Sequence, residues 1–316
     1  MKGASFYKTF PLPYSLLQRN PALSFADAFV KMLRMGTPPL LTMVDTRAIV
    51  RACAKRICPS QEGMPVEGLG SRYECENASY LFLEEIFPER LDASGGEQTT
   101  SVFQTIERVL ASQGFAFQHL VRTWFYLDGI LDWYGEFNAA RTPFLKTHGA
   151  LERFMPASTG IGIKNHRGSK MVAGALAIKP KSAAFQVEEA CSPLQGSAFA
   201  YKSAFSRAAL ITRASGRREL LVSGTASIDT TGASVYLGDP EAQTEKTLRV
   251  IEAILQSAQM SWRDVSRAVV YFKEPRYAPF FFERMPEMSG FPLVAMHADV
   301  CRDDLLFEME LDAIVP

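Results

Sequence analysis

The chain has 316 residues, with 34 lysines and arginines against 34 aspartates and glutamates, and 47% of its residues are apolar. That length and apolar content predict about two domains with proper cores, while the charge balance argues against the one-signed surface of a nucleic-acid or anionic-membrane binder. No stretch approaches the roughly 20 apolar residues of a spanning helix, and Lys8, Pro11 and Pro13 interrupt the N-terminal apolar residues, so there is no signal-peptide core and a cytoplasmic location is expected.

Residues 1–76 read as an N-terminal helical extension, with one helix over about 25–35, a Gly36-Thr-Pro-Pro39 break and a second helix over about 44–57. A strand is expected over 80–87, a loop over 92–100 from its glycines and polar residues, and an amphipathic helix over 102–113 from apolar residues three and four apart. A strand over 120–127, a helix over 134–145, a glycine-rich loop over 160–169 and a strand over 171–178 complete this set. The same order then returns: strand 219–228, loop 229–232, helix 244–259, strand 265–272, a helix over 277–285 cut short by Pro286, and strand 305–315. The expected division is an extension (1–76), a first unit (77–190) and a second unit (191–316).

The return of the order is a repeat. Residues 104–127 align without a gap on 249–272, with identities at Ile106/Ile251, Glu107/Glu252, Leu110/Leu255, Ser112/Ser257, Arg122/Arg267 and Tyr126/Tyr271. After a two-residue length difference, Tyr134, Phe137 and Arg141 meet Tyr277, Phe280 and Arg284, and 156–178 then runs beside 292–314. In that last register Glu308 stands opposite Val172, and Cys301 opposite Asn165. A duplicated unit can keep chemistry in one copy and lose it in the other, so these unequal pairs mark the second copy as the one carrying an acid.

Five cysteines (Cys53, Cys58, Cys75, Cys191, Cys301) are odd in number and scattered, which predicts reduced thiols. Four residues separate Cys53 from Cys58 and no histidine is near them, so zinc-ligand spacing is absent and no metal is expected. His119, His148, His166 and His297 follow no motif, and no histidine–carboxylate pair equips a serine as a nucleophile.

The block IERVL, the later R-x-x-x-Y and the closing strand LLFEMELDAIV resemble the Rid (YjgF-type) family, as do the stretch 203–208 (SAFSRA) and Leu221-Val-Ser-Gly-Thr225. A fused pair of such units behind an N-terminal extension is similar to the chorismatase family. That likeness is sharpest in FN-x-A-R ending at Arg141, PASTGIG (156–162), FSRA (205–208) and Cys301 seven residues before Glu308. The resemblance implies an α+β fold of tandem Rid/YjgF-like (chorismate-mutase-like) units, each a mixed sheet with helices on one face, the first unit degenerate. It also implies cleavage of chorismate, a ring with two carboxylates and an enolpyruvyl ether, to pyruvate and a cyclohexadiene or hydroxybenzoate acid.

Such an ether breaks when its terminal methylene carbon is protonated, so one general acid with a raised pKa is needed, with cations for the carboxylates. No cofactor is needed. In this reading Glu308 is the acid and Cys301 marks the 3-hydroxybenzoate variety, with 4-hydroxybenzoate as a possible second product. Arg141 beside Tyr134 and Arg207 beside Tyr201 clamp the carboxylates, and Ser158, Thr159 and Ser223 donate hydrogen bonds or only shape turns. Spacing alone reads otherwise: Phe307, Met309, Leu311 and Ala313 alternate with Glu308, Glu310 and Asp312, as in a half-exposed strand. The bland reading of Arg141 and Arg207 is a surface ion pair, of Cys301 a small buried hydrophobe, and of Arg284 a structural relic.

Two further readings stay open. A Rid-type enamine/imine deaminase is disfavoured because Val294 and Ala295 stand where that family carries an arginine after its proline. A non-catalytic small-molecule-binding protein requires an exposed Glu308 with no arginine-bearing pocket. The expected partner is a small molecule, with neither nucleic acid nor membrane, and the chain is expected to be a monomer or weak homo-oligomer.

Overall fold

The computed structural model describes residues 40–75, 77–148, 155–196, 204–284 and 291–316; the helix expected over 25–35, Pro286 and Tyr201 lie outside them. The described chain opens with β1 (Met43–Val44) and α1 (Thr46–Ile57), the latter capped by the Asp45 side chain, which accepts from the Arg47 amide. The first sheet then uses β2 (Met64–Pro65), β3 (Gly70–Glu74), β4 (Ala78–Ile86), β5 (Leu120–Leu127), β6 (Ala157–Ile161) and β8 (Met171–Pro180), in the order β2-β3-β4-β8-β5-β6. The short β7 (Lys164–Asn165) pairs with β1 instead.

The second sheet repeats this plan with β9 (Gln186–Ala190), β10 (Ala208–Thr212), β11 (Arg218–Ala226), β12 (Val265–Phe272), β13 (Leu293–His297) and β14 (Phe307–Val315), in the order β13-β12-β14-β11-β10-β9. By hydrogen bonding, 186–190 belongs to the second sheet, and β2 and β3, which precede residue 77, to the first. Among the described residues no helix is long and apolar enough to cross a membrane.

Helices cover one face of each sheet: α2 (Gly95–Ser112) and α3 (Ile130–Thr147) on the first, α4 (Pro240–Ser257) and the short α5 (Ala278–Phe282) on the second. The expected loop at 92–100 is corrected here, because α2 begins inside it. Ser94 and Glu97 form a reciprocal capping box, which supplies the orphan first-turn donors of the helix. Gly95 is there for space, since a Cβ on it would lie 2.3 Å from the Trp133 ring.

The other faces of the two sheets pack against each other. Consequently β14 has no solvent side: Phe307, Met309, Leu311 and Ala313 join the apolar layer under α4, while Glu308, Glu310 and Asp312 are buried toward the first sheet. The half-exposed strand predicted by alternation is thereby corrected. At this interface Arg122 of β5 donates to Glu310 (2.8 Å), and Arg267 of β12 donates to both Glu310 (3.1 Å) and Asp312 (2.7 Å), with Trp124 Nε1 also donating to Glu310 (3.0 Å).

Both sheets carry a bulge at the same place. In β11 it falls between Val222 and Thr225, and in β4 between Leu83 and Ile86. The first-copy bulge holds Glu84 and Glu85, and α1 covers it: Arg51 grips Glu84 through two nitrogens, Arg47 pairs with Glu85, and the Glu85 amide donates to Thr46 Oγ1 (2.9 Å). The second-copy bulge holds Ser223 and Gly224 and stays open to a cavity.

Candidate active site

That cavity, about 220 Å³, lies between α3 and β6 of the first half and the β11 bulge, the start of β14 and the segment after β13 of the second. Glu308 enters it from β14, where it pairs across the ladder with Ala226 on one side and Tyr271 on the other. Val172 pairs with Tyr126 in the first sheet, so the backbone register reproduces the Glu308/Val172 opposition read from the repeat.

Glu308 is only 4% exposed. Burial, and then the Glu310 carboxylate, push its carboxyl up to about 8, with Arg122 and Arg207 pulling the other way. Its seat is made by Gly224: a Cβ there would lie 2.0 Å from Glu308 Oε1. The Gly224 backbone does not lie in the left-handed region, so what the glycine supplies is room: a methyl group there would force the Glu308 carboxyl to move.

Three guanidinium groups line the same cavity. Arg141, on α3 and 2% exposed, donates to Asn138 Oδ1 (2.7 Å) and lies 4.9 Å over the Phe137 ring. Arg207, 3% exposed, donates through Nε to the Gly196 carbonyl (3.2 Å) and lies 5.5 Å over Phe205. Arg302 donates to the Gly232 carbonyl (2.7 Å). The surface ion-pair reading does not describe Arg141 or Arg207, both of which are buried.

Cys301 lines the cavity beside Glu308 and Tyr134, and burial followed by the Glu308 charge pushes its thiol up to about 12. It is a neutral, polarisable wall at physiological pH. Burial also raises the Tyr134 phenol, which stays protonated. Ser158 lines the cavity through β6, its amide fixed by Ser223 Oγ (2.8 Å).

Thr159 and Ser223 are buried just behind the wall. Ser223 donates to the Ser206 carbonyl (2.6 Å), and Thr159 Oγ1 accepts from Arg122 (2.7 Å) and from the Gly224 amide (3.0 Å), so both tie the bulge of the second half to β6 of the first. Among the described residues no cluster of three or more histidine, cysteine or acidic side chains forms a metal site.

The structure therefore brings Glu308, Cys301, Arg141, Arg207, Tyr134 and Ser158 to one cavity and sets Thr159 and Ser223 behind it. Sequence reasoning passed over Gly224, Asn138 and Arg302. Each adjoins a residue that was singled out, and Gly224 stands where the first copy has Glu85, a difference that comparison of the bulges exposes.

Residues 70–177 match the family model described as chorismatase FkbO/Hyg5-like, N-terminal. A crystal structure of a chorismatase superposes with a TM-score of 0.63 at 21% identity, over 80% of this chain and 80% of that one. The chain is similar in fold to that chorismatase. Its fold is α+β, two units of matching sheet order in tandem. Solved structures that match part of the chain include a member of the YjgF/YER057c/UK114 family from Mycobacterium tuberculosis (26% identity, 41% of this chain and 100% of that one, TM-score 0.32). Another is a Rid-family protein from Yersinia pestis (21%, 41% and 100%, 0.34). No curated protein matches the chain by sequence. In this chorismatase-like fold the matched segment contributes α3 and β6 to the cavity, while Glu308 and Cys301 lie in the other half.

Proposed function

We propose that the chain cleaves chorismate, releasing pyruvate and a hydroxybenzoate, with 3-hydroxybenzoate the main product. The observation that carries this reading is a single buried carboxyl group, protonated at neutral pH, facing three guanidinium groups in a compact cavity. At about 220 Å³ the cavity is below the roughly 300–1,000 Å³ of pockets for drug-sized ligands, which suits a small dianion.

Arg141, Arg207 and Arg302 supply planar cations for the two carboxylates. Glu308 gives its proton to the terminal methylene carbon of the enolpyruvyl group, and the positive charge passes to the ether carbon as an oxocarbenium ion. When the ring's own hydroxyl displaces the enolpyruvyl oxygen and the ring loses a proton, the products are pyruvate and hydroxybenzoate and no water is consumed. Capture of the oxocarbenium ion by water instead consumes one water and leaves the dihydroxy-diene acid. The neutral Cys301 thiol against this centre supports the first route by occupying volume that a water would otherwise take.

Incubation of the purified protein with chorismate, with pyruvate followed through lactate dehydrogenase and the acids separated by chromatography, tests the reading. Pyruvate release that falls at least about a hundredfold in Glu308→Gln is expected. Absence of release above background, or release unaffected by the substitution, overturns it.

A further inference from the structure

Glu308 and Glu310 stand two residues apart on one face of β14, about 6–7 Å along the strand at the usual rise, and both are buried toward the first sheet. Glu310 is saturated by three donors: Arg122 Nη2 (2.8 Å), Trp124 Nε1 (3.0 Å) and Arg267 Nη1 (3.1 Å). The same Arg122 nitrogen donates to Thr159 Oγ1 (2.7 Å), which accepts the Gly224 amide (3.0 Å). Gly224 in turn is the residue against which the Glu308 carboxyl rests. A chain of hydrogen bonds thus runs from Glu310 through two elements of the first half to the seat of Glu308.

The charges in this layer are balanced without Glu308. Arg122 and Arg267 face Glu310 and Asp312, two cations against two anions. A third carboxylate would therefore find no unmatched cation within this layer, and only the cavity arginines would offset the cost of burying its charge.

We propose that Glu310, held by Arg122, is a positioning residue for Glu308: it fixes the seat of the acid through Thr159 and Gly224, and its carboxylate, on the same face of β14, disfavours a second negative charge beside it. This deepens the proposed cleavage and rests on it for the role of Glu308. The other charged or titratable groups facing Glu308 are Arg207 ahead of β10, Tyr134 and Arg141 on α3, Cys301 and Arg302 after β13, and Tyr271 beside it on β12. Arg122 and Arg207 draw Glu308 toward ionisation, and the tyrosines and the thiol remain neutral, so Glu310 is the anion that opposes them.

Carboxyl-carbon NMR of protein labelled with ¹³C-glutamate, the Glu308 signal identified by its loss in Glu308→Gln, reads the titration without turnover. In Glu310→Gln its midpoint is expected to fall by at least about one pH unit, because a neighbouring anion has been removed. Asp312→Asn, which removes a carboxylate from the far end of the same layer, is expected to move it less than half as far. The alkaline limb of pyruvate release from chorismate is expected to follow the NMR midpoint in each variant. Thr159→Val keeps every charge and cuts the link to Gly224; kcat is expected to fall about tenfold, the scale of a small misplacement, with the limb unmoved. A midpoint unchanged in folded Glu310→Gln, or a Thr159→Val protein with unaltered kcat, overturns the proposal. Should Glu310→Gln not fold, Thr159→Val decides alone. A shifted midpoint in a protein that releases no pyruvate supports the coupling and refutes the chorismate reading instead.

Discussion

Glu308 holds its proton near neutral pH because burial and the Glu310 charge outweigh the pull of Arg122 and Arg207. A general acid works in its protonated form, so turnover is expected to be flat below about pH 7 and to fall as pH rises through about 8, measured as kcat for pyruvate release. The same shift destabilises the fold. With a carboxyl at 4.5 in the unfolded chain and about 8 in the folded one, the folded state binds the extra proton between those values, and stability declines as pH rises through that window. Glu308→Gln removes this dependence. It is expected to be more stable than the parent by on the order of 3 kcal/mol at pH 7 and indistinguishable below about pH 4, as read by denaturant melts. Gly224→Ala tests the seat: its Cβ would fall 2.0 Å from Glu308 Oε1. The variant is expected to lose about 1–3 kcal/mol by overpacking and most of its pyruvate release, which a melt and a turnover assay read separately. Glu308, Arg141 and Arg207 were legible in the sequence because they sit in motifs, whereas Arg302 was passed over. Gly224 was not, because a requirement for empty space leaves no pattern until the opposing side chain is placed.

At the scale of elements, β5 and β12 were readable to the residue, since strands buried on both faces are near-continuous apolar runs, here interrupted only by Arg122-Thr123 and Ser266-Arg267, that end at polar breaks. The start of α2 was not, because Gly95 and Gly96 signal a loop while the Ser94–Glu97 box signals a helix, and the box prevails where Gly95 must clear Trp133. Alternation in β14 misled for a related reason: its polar side faces another sheet, which sequence periodicity cannot tell from water. The two bulges show what the extension does. Where the second copy leaves Ser223 and Gly224 beside a cavity, the first has Glu84 and Glu85 under α1, with Glu85 at φ 53° and its amide on Thr46 Oγ1. Thr46→Val removes that acceptor beside a strained residue. It is expected to cost about 1–3 kcal/mol, the penalty of a buried donor left unsatisfied, with kcat unchanged because the second-copy bulge is untouched; chemical denaturation beside the pyruvate assay tests both halves of the expectation.

Across the whole molecule, the repeat made the tandem plan legible, yet the contact between the halves was hidden. Arg122 and Arg267 were visible as a repeated identity, but their partners Glu310 and Asp312 occur only in the second copy. The corresponding strand β8 carries Gly174 and Leu176 at those positions, set by the shared β5–β8 and β12–β14 registers. Two repeated arginines therefore converge on carboxylates supplied by one half, which makes the interface directional. Burying such a layer is weak evidence of net stabilisation, because desolvation offsets much of the attraction. Removing one member is different. Arg267→Met strands Asp312 and part of Glu310 without a cation, and a loss of about 3–5 kcal/mol is expected. Leu176 shows that an apolar side chain fits the equivalent place in the first sheet, so adding Asp312→Leu is expected to restore at least half of that loss. Equilibrium unfolding of the two single variants and the double one forms a thermodynamic cycle. A double variant no more stable than Arg267→Met would mean that Asp312 stabilises the interface by contacts other than Arg267, and that the two halves are joined by packing rather than by this charge layer.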